Sequence, residues 1–522
     1  MTSRSTLLGR LRTREIWDLI VIGGGATGLG AALDATTRGY RTVLLEAHDF
    51  AKATSSRSTK LIHGGVRYLA QGDVGLVREA LRERGRLVRN APHLVHELPF
   101  LVPAYRWWDR AYYGLGLSVY DRLGGSLGFG RSRIVGRDEA IALAPTLEPR
   151  GLRGGVVYQD GQFDDSRLAV ALFRSIDDHG GTALNAVAAT QFVKNAQGHV
   201  TGVRAVDAET GETFEIAARC VINATGVFAD EVRRLDEPGS AAMIAPSQGA
   251  HLVLGPEFLP GNAAVLVPKT DDGRVLFAIP WHGRVVVGTT DTPVDRVSLE
   301  PRPLREELDF LLKHAGRYLA KDPFPADVLS IYAGLRPLIS RSREGHANTS
   351  RISREHAMVV SHSGLVTIAG GKWTTYRRMG EVVVDLAAKS AGLSPRPCVT
   401  QDLRLHGWQA ETSGSALGVY GADAPALERL IAERPEWGRP LHTRLPYRAG
   451  EVIWAARFEA ARSLEDALAR RTRALLLDAR AAIEAAPLAA VLLAEELGRD
   501  ERWRDAQVHA FAELASGYVM PV

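Results

Sequence analysis

Near its start the chain sets short, uninterrupted apolar runs between small and polar residues. Asp18–Ile22 (DLIVI) is such a run, rich in β-branched side chains, and predicts a parallel strand buried on both faces. It leads straight into Gly23-Gly24-Gly25-Ala26-Thr27-Gly28, and Leu29–Thr37 then reads as a small-residue helix. Gly39 ends that helix, and Arg41–Leu45 (RTVLL) predicts the next strand, which finishes at Glu46. Together these make one βαβ unit.

The texture differs between about Gly249 and Pro337. Val275–Ile279 and Arg284–Thr289 flank Trp281-His282-Gly283, which predicts a hairpin turn between two strands, and Val328–Tyr332 predicts a further strand. Antiparallel sheet is the expected result, of the kind that covers a substrate beside a nucleotide-binding domain. Strand–glycine–helix texture returns at Leu365–Val384. After about residue 400 the composition shifts to Ala, Leu, Arg and Glu, which predicts a separate all-helical domain. Within it Val452–Arg462 has helical periodicity, and Ser463-Leu464-Glu465-Asp466 has the spacing of a capping box. Pro487 suits the first turn of a helix and Gly498 its end.

Composition narrows the class. A chain of 522 residues, 45% hydrophobic and 24% charged, reads as two or three soluble globular domains. A net charge of +4 is small for this length, despite a pI near 9.0, and argues against a dedicated nucleic-acid binder. Cys220 and Cys398 stand far apart and form no metal-ligand or disulfide pattern, which suits a reducing cytoplasm. Arg4, Arg10, Arg12 and Arg14 precede no apolar run, so no secretory signal is expected, and the basic N-terminus reads as a solvated tail rather than a lipid anchor. No window approaches the ~18 apolar residues of a membrane span.

The glycines Gly23, Gly25 and Gly28 suit a tight turn, close approach of a pyrophosphate, and close helix–strand packing. The helix behind them offers N–H groups and a positive dipole end to phosphates. Glu46, at the end of the second strand, can accept hydrogen bonds from ribose hydroxyls. NAD and FAD share this fingerprint. Val221-Ile222-Asn223-Ala224-Thr225-Gly226 supplies a second glycine-ended strand, and Gly370-Gly371-Lys372 opens another helix late in the chain. Three such strand ends favour FAD over NAD.

The run Ala53-Thr-Ser-Ser-Arg-Ser-Thr-Lys-Leu-Ile-His-Gly-Gly-Val-Arg-Tyr-Leu69 closely resembles the signature of FAD-dependent, quinone-linked glycerol-3-phosphate dehydrogenases. Tyr332-Ala-Gly-Leu-Arg-Pro-Leu338, Gly370-Gly-Lys-Trp-Thr-Thr-Tyr376 and Ser463-Leu-Glu-Asp-Ala-Leu-Ala-Arg-Arg-Thr-Arg473 are similar to further motifs of that family, in its order and spacing. The resemblance spans about Asp18 to Gly517 and implies an α/β fold. A two-part FAD-binding Rossmann-like domain (16–100, 150–240 and 355–395) would stand beside an antiparallel-sheet substrate domain (101–149 and 241–354) of D-amino-acid-oxidase type. An all-helical domain (400–522) would follow.

It also implies a reaction. sn-Glycerol 3-phosphate is oxidised to dihydroxyacetone phosphate by hydride transfer from C2 to flavin N5, and electrons pass to a membrane quinone. The quinone implies a cytoplasmic enzyme peripheral on the inner face of the cytoplasmic membrane, with a homodimer left open. By the same resemblance His251 is the base and Arg336 both orients substrate and stabilises the reacting oxygen. Arg67, Tyr68, Arg354, Lys372 and Thr374 join Arg336 in binding substrate, with Arg341, Arg343 and Arg351 as competitors for the role of Arg354. The cofactor set adds Thr54, Ser55, Ser58, Val187, Ala224, Gly226, Gly371 and Lys372 to Gly23, Gly25, Gly28 and Glu46. Lys60 and His63 read as supports of the flavin loop. A glycerol-3-phosphate oxidase using oxygen is the close alternative. A related FAD enzyme acting on an amine or hydroxy acid, and a flavin-binding protein without turnover, lie further off.

Overall fold

The structure, a computed structural model, describes residues 1–69, 72–267, 270, 273, 275–340, 356–410 and 416–521, apart from the side chains of Arg67 and Tyr68. Two sheets organise it. In the first, Val366–Gly370, Thr213–Asn223, Trp17–Ile22, Thr42–Leu45 and Thr182–Leu184 run parallel in that order, with His356–Val360 antiparallel at one edge. The expected βαβ unit is there: Trp17–Ile22, helix Ala26–Thr37, Thr42–Leu45. Leu19, Ile20 and Val21 are fully buried, as a strand covered on both faces requires. Helices Ala26–Thr37, Asp165–Asp178 and Tyr376–Ser390 contribute to the core on one face. Gly30 and Gly380 let two of these helices touch, since a Cβ on Gly380 would stand 2.6 Å from the Gly30 backbone.

The other face corrects one expectation. The basic N-terminus is not a solvated tail: Arg4–Leu11 is a helix capped by Ser3, with Leu7, Leu8 and Leu11 buried against the sheet. Its charges are tied down as well, Arg4 to Asp207 at 2.6 Å and Arg12 to Glu212 at 2.7 Å.

The second sheet runs Thr292–Pro293, Ile244–Leu254, Arg284–Gly288, Leu276–Trp281, Ala264–Val267, Val95–Pro103, Gly155–Phe163, Leu61–Ile62. Val328–Ile339 pairs along the other side of Ile244–Leu254. Pairing is antiparallel except where Ala264–Val267 meets Val95–Pro103. The hairpin through His282-Gly283 forms as expected, both residues at positive φ. Leu61–Ile62, Val95–Pro103 and Gly155–Phe163 lie in stretches expected on the nucleotide side, yet they hydrogen-bond into this sheet. Local sequence carries no information about which sheet a strand joins.

Helix Arg305–Tyr318 packs on one face of the second sheet. The C-terminal helices share a core with Val253, Trp281, Val286 and Tyr332 of the same sheet. Among the described residues beyond 400 the elements are helical, and Ser463 and Asp466 exchange reciprocal hydrogen bonds as a capping box does. Pro487 departs from expectation. It lies in the interior of Ala479–Leu497, whose cap is Asp478, because the alanine-rich run before it starts the helix two turns earlier. Gly498 ends that helix in the left-handed conformation. No described helix is long and apolar enough to cross a membrane.

Candidate active site

The first glycine turn is closed too tightly for side chains. Gly23 has φ of 107°, and a Cβ there would stand 2.8 Å from the Ala224 carbonyl oxygen. A Cβ on Gly28 would stand 1.8 Å from the Gly23 carbonyl. Gly25 caps helix Ala26–Thr37 without a side-chain bond, and Ser55 Oγ accepts only the Ala26 N–H, at 3.0 Å. The remaining first-turn N–H groups and the positive helix end are left for an anion.

Glu46 borders this cradle. One carboxylate oxygen accepts the Gly24 N–H at 2.6 Å and the other the His48 N–H at 2.8 Å. Burial pushes its carboxyl pKa up, and those two amide bonds oppose the shift. The Val187 N–H donates to the Glu46 carbonyl at 2.8 Å, placing Val187 at the same rim. Ala224 bonds Ile22 at 2.9 Å, so the strand end Ala224–Gly226 lies directly beside the turn. The third turn, Gly370–Gly371, takes positive φ at both glycines and leads through Lys372 into Trp373–Thr375. Trp373 Nε1 donates to the Ser55 carbonyl at 2.8 Å and Thr374 Oγ1 to the His63 carbonyl at 3.3 Å. Thr54 Oγ1 reaches Leu335 O at 2.6 Å. The segment from Thr54 therefore joins the first and third turns to the second sheet. A glycine cradle, a free helix end and a bordering carboxylate fit a dinucleotide.

The second sheet supplies the chemistry. In the pairing of Ile244–Leu254 with Val328–Ile339, His251 lies opposite Tyr332, Gly249 opposite Gly334, and Ser247 opposite Arg336. Cross-strand partners share a face, so His251 and Arg336 project from one side with a glycine pair between them. The Arg336 guanidinium lies back across that gap, where a Gly249 Cβ would meet its Nη2. Nη1 donates to Gln248 O and Asp291 Oδ1, both at 3.2 Å; Nη2 donates to Thr289 Oγ1 at 3.1 Å and Thr290 O at 2.9 Å.

His251 is 2% exposed. Burial drives its pKa well below the usual histidine range, and the charges of Arg336 and Lys60 push the same way. Its Nε2 lies 2.9 Å from Thr59 Oγ1, while Nδ1 has no hydrogen-bond partner among the described residues. Lys60 is fully buried and bonds Asp165 at 2.7 and 2.9 Å and Ser56 O at 2.8 Å, in a supporting position below the Trp281 and Tyr332 rings.

Ser58, expected at the cofactor, is turned away: its hydroxyl donates to Asp165 at 2.7 Å and accepts the Lys60 N–H. Arg67 and Tyr68 fall on the helical turn Val66–Leu69, but their side chains lie outside the described residues. Arg354, with Arg341, Arg343 and Arg351, also lies outside them. Sequence reading passed over Thr59, Tyr332 and Asp291. Thr59 and Tyr332 stand inside the resembling motifs, whereas Asp291 carries no local signal.

The C-terminal helices reach this site through charge. Asp49, three residues past Glu46 and buried, accepts from Arg471 Nη1 at 2.6 Å, from Arg471 Nη2 at 2.8 Å, and from Arg470 Nε. These arginines hold the Asp49 carboxyl well below its ordinary pKa. Lys52 pairs with Glu465 from the same region.

Comparison with known proteins agrees with the geometry. Residues 18–377 match the family described as FAD dependent oxidoreductase, and residues 365–504 match the C-terminal domain of alpha-glycerophosphate oxidase. The chain is 38% identical to the mitochondrial glycerol-3-phosphate dehydrogenase of Homo sapiens, covering 99% of this chain and 75% of that protein. It is 35% identical to the Schizosaccharomyces pombe counterpart, over 99% of this chain and 89% of that protein. Among solved structures, the glycerol-3-phosphate dehydrogenase of Bacillus halodurans complexed with FAD superposes with a TM-score of 0.81, at 29% identity, over 99% of this chain and 98% of that one.

Proposed function

The chain belongs to the family of FAD-dependent glycerol-3-phosphate dehydrogenases, and from that premise we propose that it oxidises sn-glycerol 3-phosphate to dihydroxyacetone phosphate and passes the electrons to a membrane quinone. The observation that carries this reading is the placement of a buried, neutral His251 and an anchored Arg336 on one face of the sheet, beside a cradle fit for FAD. Gly23, Gly25, Gly28, Glu46, Val187, Ala224, Gly226 and Gly371 would hold the cofactor. When bound, FAD supplies the two-electron acceptor for the hydride leaving C2.

His251 takes the C2 hydroxyl proton. With its own proton on Nε2 it donates to Thr59, and Nδ1 is then the acceptor. Its depressed pKa keeps it unprotonated at neutral pH, the state a base requires. Arg336 is fixed by four hydrogen bonds to Gln248, Asp291, Thr289 and Thr290, so its charge faces the developing carbonyl without reorganising. A donor so placed contributes about 3 kcal/mol to the transition state. In this reading Arg67, Tyr68, Arg354, Lys372 and Thr374 complete the phosphate site, where guanidinium groups suit a dianion. The enzyme would sit peripherally on the cytoplasmic face of the membrane.

The test is anaerobic addition of glycerol 3-phosphate to the yellow holoenzyme. Bleaching of the flavin band is expected; a band that stays unchanged sinks the proposal. The match of residues 365–504 to an oxidase C-terminal domain favours a second reading, with oxygen as acceptor. Hydrogen peroxide formed in step with turnover would establish it.

A further inference from the structure

We propose that the buried pair Lys60–Asp165 is a positioning unit for the oxidation: it holds the Thr59 hydroxyl against His251 and keeps positive charge off that ring. Both side chains are fully buried, and Lys60 Nζ lies 2.7 and 2.9 Å from the two carboxylate oxygens. Neither residue belongs to the cofactor cradle or to the proposed substrate set. A buried ion pair is a poor way to stabilise a fold, because an apolar pair of the same volume does as well or better. Its use lies in what it faces.

The chain folds around the ammonium. Nζ donates to Ser56 O at 2.8 Å, the Lys60 N–H to Ser58 Oγ at 3.0 Å, and Ser58 Oγ in turn to Asp165 at 2.7 Å. The Ser58 N–H also donates to Asp165, at 3.1 Å. Lys60 takes a φ of 63°, a conformation that favours glycine, so its side chain and not its backbone suits it to the position. Thr59 lies within this turn, and its hydroxyl stands 2.9 Å from His251 Nε2. Asp165 ties down the residues on either side of Thr59, which gives the hydroxyl a fixed aim. The imidazole then keeps its proton on Nε2 and its lone pair on Nδ1.

The same ammonium acts on the ring by charge. Nζ lies 5.4 Å from the centroid of the Tyr332 ring, and the His251 ring stacks on that phenol with centroids 4.6 Å apart. Charge reaches the imidazole from Arg336, which bonds Asp291, and from Lys60, which bonds Asp165 at the head of helix Asp165–Asp178. Tyr332 stays a neutral phenol, since burial raises its pKa well above the usual value. Beyond the pair, Asp164 is taken up by Arg473 at 2.7 Å and His282 at 2.9 Å. Burial disfavours an imidazolium at His251, and both cations work the same way. Burial also lowers the Lys60 pKa, while its bonds to Asp165 favour the ammonium form.

The inference rests on the reading of His251 as the base. Without the ammonium the imidazole protonates more readily, so the base is lost at a higher pH. A charge at this range in a water-poor interior displaces a titration by about one pH unit.

The test follows anaerobic flavin reduction by saturating glycerol 3-phosphate between about pH 5 and 9 in the wild-type, Lys60→Met and His251→Gln holoenzymes. The substrate phosphate titrates alike in each, so differences between the profiles belong to the protein. Lys60→Met should lose its rate on the acid side about one pH unit above wild type, with a neutral-pH rate lowered less than about tenfold. Coincident profiles overturn the proposal, flat ones included. So does a lowered rate with an unmoved acid limb, which is what a purely structural lysine would give. Lys60→Met/Asp165→Asn strands neither charge and serves where the single variant does not fold. Its acid limb should rise as well, and one left at the wild-type position overturns the proposal. A wild-type flavin that does not bleach sinks the substrate reading, and a His251→Gln flavin reduced as fast as wild type sinks the base. Either takes this proposal with it, and those two proteins alone tell such a failure from one of Lys60.

Discussion

The imidazole of His251 lies face to face on the phenol ring of Tyr332, centroids 4.6 Å apart and planes 11° from parallel. The stack follows from register, since the two residues are direct cross-strand partners. Tyr332 is itself fixed by its hydroxyl, which donates to Ser58 O at 3.0 Å. The imidazole is thus clamped between a ring and the Thr59 hydroxyl. His251→Ala should slow flavin reduction by about 10²–10⁴-fold while changing substrate affinity little. Anaerobic stopped-flow reduction separates the two quantities. A raised KM with an unchanged reduction rate removes His251 as the base.

Tyr332→Leu keeps an apolar side chain but removes the hydroxyl bond to Ser58 O and the stack, the latter worth about 0.5–1.5 kcal/mol. The imidazole then loses its fixed plane but not its basicity. Flavin reduction should fall by roughly one order of magnitude, well short of the His251→Ala loss, with the pH profile shape kept. An effect as large as that of His251→Ala would give Tyr332 a direct part in the chemistry.

Gly28→Ala should give a colourless protein. The added Cβ would stand 1.8 Å from the Gly23 carbonyl, so the turn must open and its amides lose their aim. Gly75→Ala, inside helix Val74–Asn90 and with open space around its added Cβ, serves as the control for a helical glycine-to-alanine change alone. FAD content by absorbance distinguishes them, and a yellow Gly28→Ala protein contradicts the fit.

Stability should fall as pH drops below neutrality. His251 is pushed well below its ordinary pKa, and burial lowers His93 to about 4, with Arg167 and His406 adding to the shift. Below about 6.5 the unfolded chain binds protons that these folded histidines refuse, so the folded state loses ground from there down to about pH 4. His406 opposes this. Held between Asp178 at 2.7 Å and Asp423 at 2.8 Å, its pKa is raised, so its contribution is complete at low pH and is lost as pH rises through the folded value. Urea midpoints at pH 7.5, 6 and 5 should decline, and His93→Gln should flatten the decline. Flat midpoints would refute it.

The first turn and the hairpin at His282 were legible because each rests on local pattern, while His251 and Arg336 were picked out by motif runs without the strands Ile244–Leu254 and Val328–Ile339 that carry them. What makes them a site was not. That His251 faces Tyr332 depends on the register of two strands about eighty residues apart in sequence, and nothing local sets that register. Asp291 and Asp165 gave no signal, since an acidic residue in sequence is most often a solvated one. Ser58 was misassigned for the same reason: its partner, Asp165, is remote. The N-terminal helix was read as a tail because its arginines were visible and their acidic partners at Asp207 and Glu212 were two hundred residues away.

The contact between Asp49 and Arg471 should give the helical region a measurable part in cofactor retention. Asp49 lies three residues past Glu46, so whatever holds Asp49 also holds the loop at the cradle rim. Three charge-assisted bonds reach it from consecutive arginines, both buried, while Asn185 Nδ2 adds a fourth at 3.1 Å. Breaking a buried pair by removing one partner costs about 3–5 kcal/mol, because the remaining charge is left in a poor solvent. Arg471→Met should therefore loosen the Glu46–Asp49 loop and release FAD. The exposed pair Arg434–Glu495, at 3.1 Å, is the control: Arg434→Met should change stability by no more than about 1 kcal/mol. Each purified protein is assayed for its ratio of flavin to protein absorbance, and for the rise in melting temperature on adding FAD. A purely structural role would lower the melting temperature of Arg471→Met with and without FAD alike. A clamp on the cofactor loop should instead cut the FAD-dependent rise and the flavin content together, and an undiminished flavin content would show that the C-terminal helices do not act through this loop.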